Sequence, residues 1–172
     1  NLSGHVDHKN KKKTFESHFI AVKNLVNFSN KSSLERFVQM GSSAEYGGLS
    51  KPQKETSKCL AKSYYGNAKL KASNFLLDQF KKYRLPITIF RLFQAYGPYQ
   101  DINRLIPITI NACMNNRVFN CSDGNQLRDF IYIDDVTEAI IKCLQNKSSI
   151  GQIYNLGSGK KIKIKSIIKT IS

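Results

Sequence analysis

Tyr65 and Lys69 stand four residues apart, a spacing that puts both on one face of a helix. A phenol titrates near 10 in water, too high for a base at neutral pH. A nearby ammonium favours the phenolate and lowers that value. Such a pair can exchange a proton with a substrate hydroxyl while a hydride leaves the same carbon. The spacing alone is common, and a core tyrosine beside a surface lysine is its ordinary meaning. What raises it is Gly41-Ser42-Ser43-Ala44-Glu45-Tyr46-Gly47, which lies between a predicted strand and the predicted helix of Tyr65. A serine hydroxyl at a strand's carboxyl end can bond a reacting oxygen, and ligands of open α/β sheets bind at such ends.

These residues need elements to position them. Phe15, Phe19, Val22 and Val26 recur at helical spacing and predict one apolar helix face. Phe37 to Met40 predicts a strand that runs into the Gly41-Ser42-Ser43 loop. Residues 44–60, with Gly47, Gly48 and Pro52, read as an exposed loop. A second helix is predicted over residues 61–83, with Ala61, Tyr65, Ala68, Ala72, Leu76 and Phe80 on one side. Leu85 to Phe93 is nearly continuous apolar and β-branched, as in a strand buried on both faces of a parallel sheet. Further on, 103–116 reads as helix, and Val118 to Cys121 and Phe130 to Ile133 read as extended. Asp134 or Asp135 is expected to cap a helix reaching Leu144. Gln152 to Leu156 reads as a short strand and 163–172 as a helix. The alternation of helix and strand argues for a doubly wound α/β fold with a parallel sheet. Asn1 to Gly4 reads as the end of a buried strand, and the first residue is not Met, so the chain is expected to begin inside a larger protein.

Composition excludes several classes. The 172 residues are 41% hydrophobic and 10% aromatic, a globular composition. No apolar run approaches the ~20 residues of a membrane span. Cys59, Cys113, Cys121 and Cys143 form no metal-ligand spacing, and His5, His8 and His18 have no thiolates near them, so no metal site is expected. The net charge of +15 is scattered apart from Lys11 to Lys13 and Lys160 to Lys165. Few aromatics interleave with it and no nucleic-acid motif appears. An anionic small molecule is therefore the expected partner, with neither nucleic acid nor membrane.

Five segments in order resemble the NAD-dependent epimerase/dehydratase family, the extended short-chain dehydrogenases/reductases. Phe37 to Gly47 resembles its strand ending in Ser-Ser before a Tyr-Gly pair. Ser63-Tyr64-Tyr65-Gly66-Asn67-Ala68-Lys69 resembles its S-x-Y-G-x-x-K helix start, which selects Tyr65 over Tyr64. Arg91-Leu92-Phe93-Gln94-Ala95-Tyr96-Gly97-Pro98 resembles its R-x-F-N-x-Y-G-P segment. Arg128 to Val136 resembles its RDF-x-Y-V-x-D segment, and Ile153 to Gly159 its Y-N-x-G-x-G strand.

The resemblance implies roles. Ser42, Tyr65 and Lys69 take the catalytic positions. Ser3, Gly4, Tyr65, Lys69 and Phe93 take positions that contact the cofactor, NAD or NADP. Ser43, Gln94, Arg104, Leu105 and Arg128 fall where members bind a nucleotide diphosphate sugar. Gln94 replaces a usual Asn. For Arg128 the chemistry agrees, because a guanidinium fork grips phosphate oxygens in pairs; a salt bridge to Asp129 or Asp134 is the other use of that charge. The implied fold is α/β, a doubly wound parallel sheet, Rossmann-like and incomplete, with a smaller C-terminal substrate-binding part. Residues 1–93 would form the later part of the dinucleotide-binding domain and 94–172 mostly the substrate part, with 130–145 returning to the first. A cytoplasmic enzyme that is a homodimer when complete is implied as well.

The departures bear on the reaction. The Gly-rich turn that seats a pyrophosphate is absent, and Gly157-x-Gly159 does not supply it, since Ile162 stands where a third Gly belongs. His18 and Ala21 replace a common Asn and Gly. The family's 4,6-dehydratases place Asp and Glu after the catalytic Ser/Thr, where this chain has Ser43 and Ala44. Without that acid/base pair, hydride and proton transfer at one carbinol remains: 4-epimerisation, or reduction of a 4-keto-6-deoxy sugar. The alternative is a non-catalytic or truncated nucleotide-binding or interaction protein derived from the family.

Overall fold

The apolar spacing from Phe15 to Val26 builds a continuous helical run: α1 (Lys11–Phe15), a π-helical turn (Glu16–Ile20) and α2 (Ala21–Phe28). The Asn10 side chain accepts the Lys13 N–H and starts it. The computed structural model describes residues 1–29, 33–48 and 52–172. Next come β1 (Phe37–Ser42), a 3₁₀ turn (Ser43–Tyr46), α3 (Tyr64–Tyr83) and β2 (Ile87–Leu92). With β6 (Ile153–Leu156), β1 and β2 form a parallel sheet of order β1-β2-β6. Phe37 faces Ile87 in one pair and Ile89 faces Ile153 in the other. Helix and sheet meet in a core of Val22, Val26, Ala72, Leu76, Leu85, Ile87 and Ile89. Each large aliphatic side chain buried there contributes about 1.5–3 kcal/mol by transfer from water.

The chain divides into two compact units. The first is Asn1–Leu92 with Ile140–Leu156, and the second is Phe93–Ala139 with Gly157–Ser172. The segment that returns to the first unit is thus 140–156, which carries β6, where the sequence pointed to 130–145. The second unit holds β3 (Gln94–Tyr96) parallel to β5 (Phe130–Tyr132), and β4 (Leu127–Arg128) antiparallel to β7 (Ile162–Lys163). It also holds α4 (Leu105–Met114) and α6 (Ile164–Ile171), while α5 (Ile133–Gln145) crosses the division.

Several expectations differ from the structure. Residues 44–60 are not exposed throughout: Glu45 and Tyr46 are fully buried in the 3₁₀ turn, because their polar atoms have partners inside. Residues 49–51 of that stretch lie outside the described ones. Val118 to Cys121 joins no strand, and Val118 is almost completely exposed. Asp134 and Asp135 do not cap α5, which starts at Ile133; they lie in its first turn, where acidic groups suit the helix dipole. Along the β1 edge, Met40 N–H donates to Asn1 O at 3.2 Å and the Asn1 amino group donates to Val38 O. Among the described residues no helix is long and apolar enough to cross a membrane, and no three His, Cys, Asp or Glu gather as for a metal ion.

Candidate functional site

Ser42 ends β1, and its hydroxyl accepts the Ala44 N–H at 3.2 Å. Tyr65 is the second residue of α3, whose start is capped by the Ser63 hydroxyl accepting the Gly66 N–H at 2.9 Å. Gly66 lets that start sit on the 3₁₀ turn: a Cβ there would lie 2.6 Å from Ala44 O. One turn along α3, Lys69 is buried and donates to Met40 O at 2.8 Å, two residues before Ser42. Its ammonium stands 5.8 Å from the centre of the Tyr65 ring. The first unit thus brings Ser42, Tyr65 and Lys69 around the carboxyl end of β1.

Burial pushes the Lys69 ammonium down to about 8, with the Glu45 carboxylate opposing the shift. At neutral pH it remains mostly a cation beside a half-buried phenol. Of its three donors, one goes to Met40 O, which leaves further N–H groups on a buried ammonium near the Tyr65 ring. Tyr65 also packs between two imidazoles: His8 stacks on it at 4.1 Å and His18 meets it edge-on at 4.9 Å. His18 lies in the π-helical turn, is 5% exposed, and bonds His5 O through Nε2 at 3.1 Å. With Nε2 donating, Nδ1 is an acceptor, and it is buried without a hydrogen-bond partner among the described residues. Burial first, then Lys69, lowers the His18 pKa to about 4, so the ring is neutral at pH 7.

Sequence reasoning treated the histidines only as metal ligands or as a departure from a family pattern. The histidine packing around Tyr65 was missed, although a π-helical turn is often a functional feature. Ser3 is exposed and bonds the Asn1 side chain, and Gly4 sits against the His18 imidazole. Ser43 is half-buried as the first residue of the 3₁₀ turn. A cofactor's ribose and nicotinamide end fits what is present here: buried ammonium donors on Lys69 and an unpartnered acceptor on His18 suit hydroxyl and amide groups.

The remaining residues lie in the second unit. Phe93 is half-buried; Gln94 is exposed at the start of β3, its N–H donating to Asp129 O at 3.0 Å. Exposed Arg104 precedes α4, and half-buried Leu105 begins it. Arg128 is exposed on β4 and donates to Leu127 O at 2.8 Å. It forms no ion pair with Asp129 or Asp134, unlike Arg91, whose Nε stands 2.9 Å from Glu45 Oε2. Asp129 instead accepts from Ser158 N, Ser158 Oγ and Gly159 N, which fixes the 157–159 turn beside it.

The profile of the NAD dependent epimerase/dehydratase family matches residues 2–157. Human dTDP-D-glucose 4,6-dehydratase is 30% identical over 151 residues, which covers 86% of this chain and 42% of that protein. CDP-abequose synthase of Salmonella muenchen is 37% identical over 82 residues, 47% of this chain and 28% of that one. UDP-glucuronic acid 4-epimerase from Bacillus cereus, solved with UDP-glucuronic acid and NAD, is 26% identical with a TM-score of 0.91, covering 99% of this chain and 56% of that one. The chain therefore spans less than half the length of the first curated relatives it matches.

Proposed function

The chain belongs to the NAD dependent epimerase/dehydratase family, and from that membership we propose that the complete protein acts on a nucleotide diphosphate sugar as a 4-epimerase or a 4-keto-6-deoxy-sugar reductase. The observation that carries this is Lys69, buried on the face of α3 shared with Tyr65 and pinned to the strand that ends in Ser42. A lysine is seldom fully buried unless its charge is paired. Here it supplies positive charge to a phenol that must give and take a proton.

In this reading Tyr65 exchanges a proton with the C4 hydroxyl of the sugar. Ser42 hydrogen-bonds the same oxygen and holds it toward the phenol. Lys69 favours the phenolate and, with Tyr65, Ser3, Gly4 and Phe93, holds the nicotinamide and ribose end of NAD or NADP. The cofactor, when bound, accepts or supplies the hydride at C4. Arg128 and Arg104 hold the diphosphate, and Ser43, Gln94 and Leu105 contact the remainder of the nucleotide sugar. A second copy of the chain is the proposed partner, supported by the exposed Leu25 and Phe28 of α2. Cytoplasmic residence is supported by four cysteines that are all unpaired.

Dehydratases stand among the relatives, but the residues that follow Ser42 do not suit elimination. Losing water across C5 and C6 needs a proton removed from carbon and another given to the departing hydroxyl. Ser43 is too weak an acid, and Ala44 has no proton to exchange. Glu45, one residue later, has no exposed surface, and its oxygens accept from Ser42 N and Arg91 Nε at 2.9 Å each. That engagement supports a register in which Glu45 is not a catalytic base. The test is to incubate the complete protein and cofactor with several nucleotide hexoses and 4-keto-6-deoxy derivatives, then weigh the products. Unchanged mass with an inverted C4, or a gain of two hydrogens, is expected. A product lighter by one water would overturn the reading.

A further inference from the structure

The mechanism uses neither member of the buried ion pair. Glu45 and Arg91 are 0% and 4% exposed, with Arg91 Nε on Glu45 Oε2 at 2.9 Å. A buried pair is weak evidence for stability, because well-packed apolar groups often replace one at no cost. Its neighbours suggest another use. The second oxygen of Glu45, Oε1, accepts the Ser42 N–H at 2.9 Å, while the Ser42 hydroxyl accepts the Ala44 N–H. Gly41 makes room, since a Cβ there would lie 2.6 Å from Oε1 and 3.1 Å from Phe90 O.

Arg91 is braced in turn. Its Nη1 donates to Tyr46 OH at 3.0 Å and to Glu55 O at 3.3 Å. Tyr46 OH donates to Asn155 Oδ1 at 2.7 Å, and the Asn155 N–H donates to Glu55 Oε1 at 2.8 Å. The network joins β2, β6 and the 53–55 segment to the turn that follows β1, since Asn155 Nδ2 also donates to Gln53 O at 2.9 Å. Each bond lies within the first unit.

We propose that Glu45 is a positioning residue: held by Arg91, its carboxylate anchors the Ser42 N–H and so fixes the direction in which the Ser42 hydroxyl is presented. The proposal rests on Ser42 being the hydroxyl that bonds the reacting oxygen. Glu45 touches no substrate and moves no proton. Removing its acceptor should lower turnover through Ser42 while leaving ligand binding in place.

Two double variants of the complete protein separate this from a merely structural role. Both Glu45→Val/Arg91→Met and Glu45→Gln/Arg91→Met abolish the ion pair, but only the Gln variant keeps an acceptor for the Ser42 N–H. Hydrogen–deuterium exchange is read at the Ser42 amide, beside kcat and KM. The Val variant should exchange faster there and turn over more slowly than the Gln variant, each by about tenfold, with equal KM values. Should either double variant fail to fold, Gly41→Ala crowds Oε1 with both charges retained and gives the same two readouts against the parent. Equal exchange in the two double variants overturns the proposal, as does equal turnover with unequal exchange. If the parent itself turns over no nucleotide sugar, the functional reading falls, and unequal exchange still upholds the bracing of the turn.

Discussion

In the first unit, Lys69 is buried on a carbonyl, Ser42 is built into a capped turn, and the Tyr65 ring lies between two imidazoles. In the second, Gln94, Arg104 and Arg128 stand exposed, and Arg128 donates to the carbonyl of its neighbour Leu127. The contrast fits the tasks proposed for the two sets of residues. A proton-transfer group works when its pKa is moved, and moving it takes desolvation and fixed neighbours. A phosphate-binding guanidinium is always charged and needs no tuning, so it stays hydrated until the anion arrives. Preorganisation is concentrated where chemistry is expected, and solvated donors where binding is expected.

The largest effect that can break this comparison is at Tyr65. Tyr65→Phe keeps the ring against His8 and His18, so fold and cofactor affinity should persist. Losing the hydroxyl should lower turnover by about 10²–10⁴-fold, the usual contribution of an acid/base group. Steady-state kinetics of the complete enzyme with thermal melting alongside measure it. Turnover within a few-fold of the parent would mean that the buried cluster serves structure alone.

Arg128 tests the other side. Because it is exposed and leaves no buried partner stranded, Arg128→Ala should leave melting unchanged. Affinity for a nucleotide diphosphate sugar should fall about 10–100-fold, the worth of charge-assisted bonds to phosphate. Cofactor affinity should stay the same. Calorimetric titration with each ligand decides: equal losses for both would make Arg128 a structural residue, and the two units would no longer divide the work.

How much of this was legible in the sequence varied with the range of the interaction. Helical spacing at Val22 and Val26, and the apolar run from Leu85, disclosed α2 and β2 because periodicity is a local signal. β3, β4 and β7 are two or three residues long, too short for any period to register. The Tyr65/Lys69 spacing was visible, yet the burial of Lys69 was not, since it depends on Met40 O supplied by a strand 29 residues earlier. Glu45 was hidden most thoroughly. Gly47, Gly48 and Pro52 made its surroundings read as a surface loop, and its partner Arg91 lies 46 residues onward. Charge pairing at that distance leaves no trace in local composition.

The smallest expected effect concerns His18, and it asks whether the buried cluster carries a pH dependence that the solvated second unit lacks. His18 faces His5 O, the rings of His8 and Tyr65, and the charge of Lys69. Its pKa of about 4 in the fold stands below the ordinary 6.5. The unfolded chain therefore takes up this proton at higher pH than the folded one does. Stability is whole above pH 6.5, falls as the pH drops toward 4, and loses nothing further from this group below that. His18→Asn removes the proton site and keeps a polar side chain of similar reach. Between pH 7 and 4.5 the parent should lose about 1–2 kcal/mol more than the variant, which is what a depressed histidine contributes over that span. Denaturant unfolding of both proteins at the two pH values gives the difference of differences, so any packing loss common to both pH values cancels. Equal acid sensitivity in parent and variant would show that the imidazole of His18 is not where the fold registers protons, and the cluster around Tyr65 would then be held by packing alone.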